Sequence, residues 1–359
     1  MANTFFKPFA ESDRTSSRTL LHEVIPITGT LVSGTYANHN NVKSFSHGMF
    51  KSVYDYPFLS SSANHIFDVS FGYAAASPYS GSTSTQNAKK INIYNQMAQV
   101  LVGYDTTGSI RMFDLDGNFT DTQTDKSKEA FFLNFSRLLV KDEIKKGSFS
   151  MTIATGSEYG DGNDRTTITL TDSGASTNYK VNSPAGEFGI LYTSSVDASA
   201  SGTDRHYGTA QGLIYYQAGI VVLTGSVHGD KDTINLSGSS AADTLKFQGM
   251  VTGSNIDVMA DAFLHRLTNV QFNNTTELNS TIYFCRASHN EFNYSSNPTY
   301  LTGSKVRVKN DNNLTPPRSY VTTVGLYSAD NELLAVAKLS EPLRKDPTNE
   351  LTLRVRLDY

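Results

Sequence analysis

The chain has 359 residues, enough for two or three domains that each bury a core. Its charged fraction is 18% and its formal net charge is −4, so composition offers no basic face for nucleic acid. The opening Met-Ala-Asn-Thr-Phe-Phe-Lys-Pro-Phe is too short in apolar length for a membrane span and lacks a charged leader. The expectation is a chain that folds in the cytosol, without membrane insertion.

Ser, Thr, Asn and Gly are abundant, which favours a β-rich fold with polar loops over a helical or disordered one. The single cysteine, Cys285, rules out an intrachain disulfide and, within an apolar run, reads as a buried, inert thiol.

Thr19 to Pro26 reads as a strand, and Gly29 to Tyr36 as a second one bounded by glycine. Tyr54-Asp-Tyr-Pro-Phe-Leu59 is a dense aromatic segment around a proline. No strong core periodicity joins these pieces. They read either as an arm that packs on a neighbouring subunit or as an edge strand with loops. Ile66 to Tyr73 is a strand, and Ser77 to Thr85 a loop rich in Ser, Gly and Pro.

A helix is predicted over Thr85 to Gly103. Ile91, Tyr94, Met97, Ala98 and Leu101 make an apolar stripe, Ser84 or Thr85 is placed to cap it, and Gly103 to end it. Ala130 to Val140 is the most apolar stretch and is ambiguous between strand and helix, with its β-rich neighbours favouring strand. Lys141 to Gly147 follows as a short turn or helix end, its charged cluster 141–146 read as a solvated surface turn. Gly147 to Ala154 and Arg165 to Thr171 alternate as strands. Ser194 to Gly208 is a long polar loop. Leu213 to Thr224 is a buried hairpin with a Gln-Ala-Gly turn, Gly229 to Phe247 a further hairpin, and Ile256 to Leu267 a second helix.

The last 80 residues alternate repeatedly with period two. Strands are expected at Thr281–Ala287, Lys305–Lys309, Tyr320–Tyr327, Glu332–Leu339 and Leu351–Leu357, with Ser328-Ala-Asp-Asn331 turning a hairpin. The whole reads as a mainly β (α+β) protein, with mixed antiparallel β domains, about two helices and a small C-terminal β-sandwich-like module. The expected division is an N-terminal arm with strands (1–65), a central mixed β domain with helices near 85–103 and 256–267 (66–277), and a C-terminal antiparallel module (278–359).

No constellation points to catalysis. There is no nucleotide-binding loop, no Gly-x-Ser-x-Gly elbow and no His-Glu-x-x-His, and the eight histidines are scattered. Asp114-Leu-Asp-Gly-Asn-Phe-Thr-Asp121 has the oxygen ligands of a calcium loop. However, its glycine falls at the fourth position and no Glu closes it at the twelfth, so it reads as a polar turn. The lack of tryptophan weighs against a sugar-stacking cleft, although 19 tyrosines offer a partial substitute. The expectation is a non-enzymatic protein with no cofactor and no metal.

Several stretches resemble virion structural proteins of cyanophages and related marine myophages. They are Glu291-Phe-Asn-Tyr-Ser-Ser-Asn-Pro298, Val324-Gly-Leu-Tyr-Ser-Ala-Asp-Asn-Glu-Leu-Leu-Ala-Val-Ala-Lys-Leu339 and Arg354-Val-Arg-Leu-Asp-Tyr359, with Arg18–Gly29 and Ser52–Asn64 near the start. The resemblance covers both ends of the chain, with weaker matches between. The Gly-Leu-Tyr…Asp-Asn-Glu-Leu-Leu-Ala-Val pattern is also similar to attachment domains of phage tail fibres and baseplate proteins.

The resemblance implies a particle component, assembled in the host cytoplasm and residing in the virion, without fixing its position or an activity. Its partners would be other virion structural proteins and copies of itself in a symmetric ring. Tail or baseplate is the favoured place, while the neck, the head exterior and a receptor- or glycan-binding tail module stay open. Large aromatics commonly anchor interfaces, so the candidate contact residues are Phe5, Phe6, Phe9, Tyr54, Tyr56, Phe58, Phe292 and Tyr294.

Overall fold

The computed structural model describes residues 6–27, 40–119, 126–154, 167–193, 210–225, 233–235, 244–293, 298, 301–302, 305–306 and 318–359. The expected strand over Gly29–Tyr36 and the polar loop over Ser194–Gly208 lie outside these residues, as do Phe5 and Tyr294. The fold is mainly β, and every ladder described is antiparallel. The chain forms two compact units, Leu21–Thr276 and Met1–Leu20 with Glu277–Tyr359. The segment 1–65 is therefore shared between the two units. Strand pairing is the reason: Arg14–Ile27 neighbours Leu267–Ala287, more than two hundred residues later in the chain.

In chain order, β1 (Arg14–Ile27) is followed in the larger unit by β2 (Val42–Ser44), β3 (Lys51–Tyr54), β4 (His65–Tyr73) and α1 (Asn87–Leu101). The short pair β5 (Phe113–Asp114) and β6 (Lys126–Ser127) leads to β7 (Glu129–Phe135), α2 (Arg137–Val140) and β8 (Glu143–Ile144). Then come β9 (Ser150–Ala154), β10 (Thr167–Thr171), β11 (Lys180–Ser183), β12 (Gly186–Thr193), β13 (Ala210–Tyr215) and β14 (Ile220–Thr224). The pair β15 (Thr233–Asn235) and β16 (Thr244–Lys246), the helices α3 (Phe247–Gly253) and α4 (Ile256–Arg266), and the start of β17 (Leu267–Ala287) complete the unit. Its main sheet runs β17-β9-β10-β12-β13-β14-β7-β4-β3-β2.

The core centres on β7, where Ala130, Phe131, Phe132 and Leu133 are all buried. Consecutive burial means that both faces of this strand are covered, which explains a continuous apolar run where alternation was the norm elsewhere. Phe131 meets Phe71 and, 5.0 Å away, Phe263 of α4. On the opposite face Phe132 meets Tyr94 of α1 and Phe113. The apolar run does not remain a strand to Val140 as expected. After Phe135 the ladder ends, and residues 137–140 coil into one helical turn that stops at Lys141, whose φ is +57°.

The helix expected over 85–103 forms as α1, with Tyr94, Ala98 and Leu101 buried. Neither Ser84 nor Thr85 caps it; the cap is Gln86 in a left-handed conformation, and the Ser84 hydroxyl instead donates to the Tyr79 carbonyl. Gly103 ends the helix as read, with φ +82° and its N–H donating to the Ala98 carbonyl. The buried hairpin of 213–224 also forms, turning through Gly219 at φ +67°. In the smaller unit, β18 (Leu301–Thr302) pairs with β19 (Lys305–Val306), and β20 (Ser319–Tyr327) with β21 (Leu333–Lys345). There β17 pairs with β22 (Leu351–Asp358), from Ser280↔Asp358 to Ala287↔Leu351.

Candidate functional site

The β20–β21 ribbon is where this sequence places apolar side chains in water. Its turn is built by Ser328 and Asn331. The Ser328 N–H donates to the Glu332 carbonyl at 2.9 Å, and Asn331 takes the left-handed conformation (φ +65°) that asparagine tolerates. One face of the ribbon carries Val324, Leu326, Ala335, Ala337 and Leu339, all partly or fully buried. The other carries Tyr327, Leu333 and Val336, which are 43%, 52% and 53% exposed, with Leu334 beside them at 67%. Gly325 is what lets this outer face lie flat. A Cβ there would come within 2.9 Å of the Tyr327 ring and 3.4 Å of Leu333. Near the turn both faces are thus apolar, where a strand with one side in water normally alternates with polar residues; the outer face turns polar at Thr323 and Lys338.

The base of the ribbon is pinned. Lys345 is fully buried, and its ammonium donates to the Asn293 side-chain oxygen (2.8 Å) and to the carbonyls of Asp346 (3.0 Å) and His289 (3.2 Å). The Ser319 hydroxyl donates to the Phe292 carbonyl at 2.6 Å. Asp346 accepts from the Thr348 hydroxyl and N–H and from Arg344, and these donors hold its carboxyl down to about 2.

Of the sequence-predicted contact residues, Phe6 packs on Tyr327 with ring centroids 4.4 Å apart and the rings tilted by 35°, and Phe9 lies 5.3 Å from Tyr283. Lys7 between them pairs with Glu291. Phe292 is half exposed, with φ +53°. Tyr54 and Phe58 belong to the larger unit, where Tyr54 packs on His65 and Phe58, and Tyr56 beside them is 59% exposed. The structure brings Phe6 to the ribbon and leaves Tyr54, Tyr56 and Phe58 in a separate cluster. Leu333, Leu334 and Val336 escaped the sequence reading. The signal was there in Glu332–Leu339, which is apolar on both parities of the strand.

Elsewhere, chemically capable groups are engaged with one another. Ser52, Asp68 and His65 come together, but Asp68 sits between the other two, accepting from Ser52 at 2.5 Å and meeting His65 at 2.8 Å. The imidazole therefore has no direct path to the serine proton, which nucleophile activation requires. Asp172 is buried and accepts from the N–H groups of Gly147 and Phe149 and from the Tyr216 hydroxyl. Burial pushes its carboxyl above the usual range, and these donors offset only part of that.

Lys146, expected on a solvated turn, instead lies between Glu187 (2.6 Å) and Glu143 (3.3 Å) and over the Tyr179 ring. Burial opposes its charge, but the two carboxylates outweigh burial and raise it above an ordinary lysine. Cys285 is half-buried rather than buried. Burial pushes its thiol up, away from the reactive thiolate. Among the described residues, no group of three His, Cys, Asp or Glu side chains is placed to hold a metal ion. No described helix is long and apolar enough to cross a membrane. Comparison with protein-family models, curated proteins and solved structures finds no match.

Proposed function

We propose that this chain is a non-enzymatic structural component of a contractile-tailed phage particle, in the tail or baseplate region, acting through subunit–subunit contacts. The observation that supports this reading is the outer face of the β20–β21 ribbon. Tyr327, Leu333, Leu334 and Val336 stand together in water on a firmly based hairpin. Single exposed apolar residues are ordinary, but a contiguous set on one rigid element is what an interface looks like before its partner arrives. The same Val324–Leu339 segment carries the resemblance to fibre-attachment and baseplate proteins.

The test is cryo-electron microscopy of purified particles that encode this chain, with mass spectrometry for copy number. The expected result is density for the chain in a tail or baseplate ring, with neighbours against the ribbon. Density at the neck or head exterior would move the protein within the particle. Density only at fibre tips would favour receptor binding, and absence from the particle would overturn the reading.

A further inference from the structure

The geometry points to a second copy of this chain as the occupant of the outer ribbon face, docked across a two-fold axis with the two β20–β21 ribbons antiparallel. The inference rests on the assembly reading above and names the partner and the orientation.

Area is the first reason. Tyr327, Leu333, Leu334 and Val336, with Phe6 packed on Tyr327 and itself 38% exposed, form one surface. Together they leave on the order of 500 Å² of apolar surface open, near the top of what a soluble monomer carries and about two-thirds of one side of a standard interface. The polar rim of the ribbon supplies the remainder.

Charge is the second reason, and it selects the partner. Residues 319–337 contain Asp330 and Glu332 and no lysine or arginine. The far half of the ribbon carries Lys338, Arg344 and Lys345 against the single acid Glu341. Lys345 is buried and Arg344, though half exposed, is paired with Asp346, so Lys338, exposed beside Val336 on the outer face, is the cation set to meet a neighbour. The ribbon is therefore acidic at its turn, with Lys338 a positive point on the outer face between the turn and the base. A second ribbon laid antiparallel sets each acidic turn toward the other copy's Lys338, twice over, whereas a parallel copy sets like charge against like. Such a contact closes on itself, so any larger ring is built from dimers through a different surface.

The experiment is sedimentation velocity of the full chain from low to high micromolar concentration. A reversible monomer–dimer equilibrium is expected. Leu334→Glu with Val336→Glu buries four carboxylates in the contact, two from each copy, and should weaken dimerisation by at least about a hundredfold. Glu332→Lys and Lys338→Glu should each weaken it about tenfold, and the chain carrying both should regain it, because the swap restores opposite charges across the axis. All four positions are exposed, so circular dichroism should report an unchanged fold.

A chain that stays monomeric, a dimer indifferent to Leu334→Glu with Val336→Glu, or a double swap that fails to recover overturns the inference. The two readings fail separately. A monomer found in particles with a different protein on the ribbon ends the self-docking inference and leaves the assembly reading. A ribbon-dependent dimer absent from particles does the reverse.

Discussion

The ammonium of Lys90, on α1, donates to the carbonyl of Val251 at the end of α3 over 2.6 Å. Its second acceptor is the Ser254 carbonyl at 2.8 Å, and the side chain is fully buried. The last carbonyls of a helix lack intrahelical donors and carry the negative end of its dipole, so a cation answers both needs. Burial nonetheless pulls the ammonium down to about 8 from the ordinary lysine value.

A pH dependence follows. Because the folded-state value is depressed, the unfolded chain binds the extra proton between about pH 8 and 10.5, and stability contributed by this group rises with pH across that window. Denaturant unfolding of the wild type and Lys90→Met at pH 7 and pH 10 should show the wild type gaining on the variant by on the order of 2 kcal/mol. A difference that stays constant with pH would mean that the two carbonyls hold the proton fully.

α1 approaches the sheet at Gly72. A Cβ there would lie 2.7 Å from the Lys90 carbonyl oxygen and 2.9 Å from the Tyr94 nitrogen, and both are backbone atoms that cannot swing aside. Gly72→Ala should therefore destabilise the chain by about 1–3 kcal/mol, although Ala suits a strand better than Gly does. Thermal or denaturant unfolding reads this directly, and an unchanged midpoint would show that α1 shifts freely over β4.

Tyr94 and Tyr215 are both buried, but among the described residues only the Tyr94 hydroxyl is hydrogen-bonded. Tyr94 donates to the Ser127 carbonyl at 2.5 Å and accepts from the Phe113 N–H at 3.1 Å. Among the described residues the Tyr215 hydroxyl has no hydrogen-bond partner. Tyr94→Phe should cost about 1–3 kcal/mol because the Phe113 N–H loses its acceptor, while Tyr215→Phe should be neutral or mildly stabilising. Equal losses in the two unfolding curves would mean that an internal water serves Tyr215.

Asp346 ties the loop between β21 and β22. The Thr348 hydroxyl and N–H and the Arg344 side chain depress its carboxyl to about 2, so its contribution is present above the ordinary value of 3.8 and disappears as pH falls through about 2. The Thr348 N–H, 2.9 Å from the carboxylate, should be protected from hydrogen exchange at neutral pH and lose protection in Asp346→Ala. Unchanged protection in that variant would assign the loop's order to the Asn349 contacts with Arg344 and Asp346 instead.

Much of the fold was legible from local chemistry. The apolar stripe of α1, its stop at Gly103, the hairpin turning at Gly219 and the Ser328–Asn331 turn depend on residues near one another in the chain. Periodicity and turn propensity describe such residues directly. The sharing of 1–65 between two units was not legible, because the pairing of β1 with β17 joins distant segments and leaves no local trace. The candidate site was half legible. Phe6 was singled out for its size and does reach the ribbon, but so were Tyr54 and Phe58, which pack in a different unit.

By itself the sequence determined the β-rich class, the two main helices and the ribbon with its turn, since those follow from spacing and side-chain type. Only the tertiary structure decided which of two apolar faces is covered. Val324, Leu326 and Leu339 turn inward while Tyr327, Leu333 and Val336 face water. The choice depends on Lys345 and Ser319, which clamp the ribbon base to residues 289–293 through contacts far apart in sequence, and alternation along one strand is blind to those.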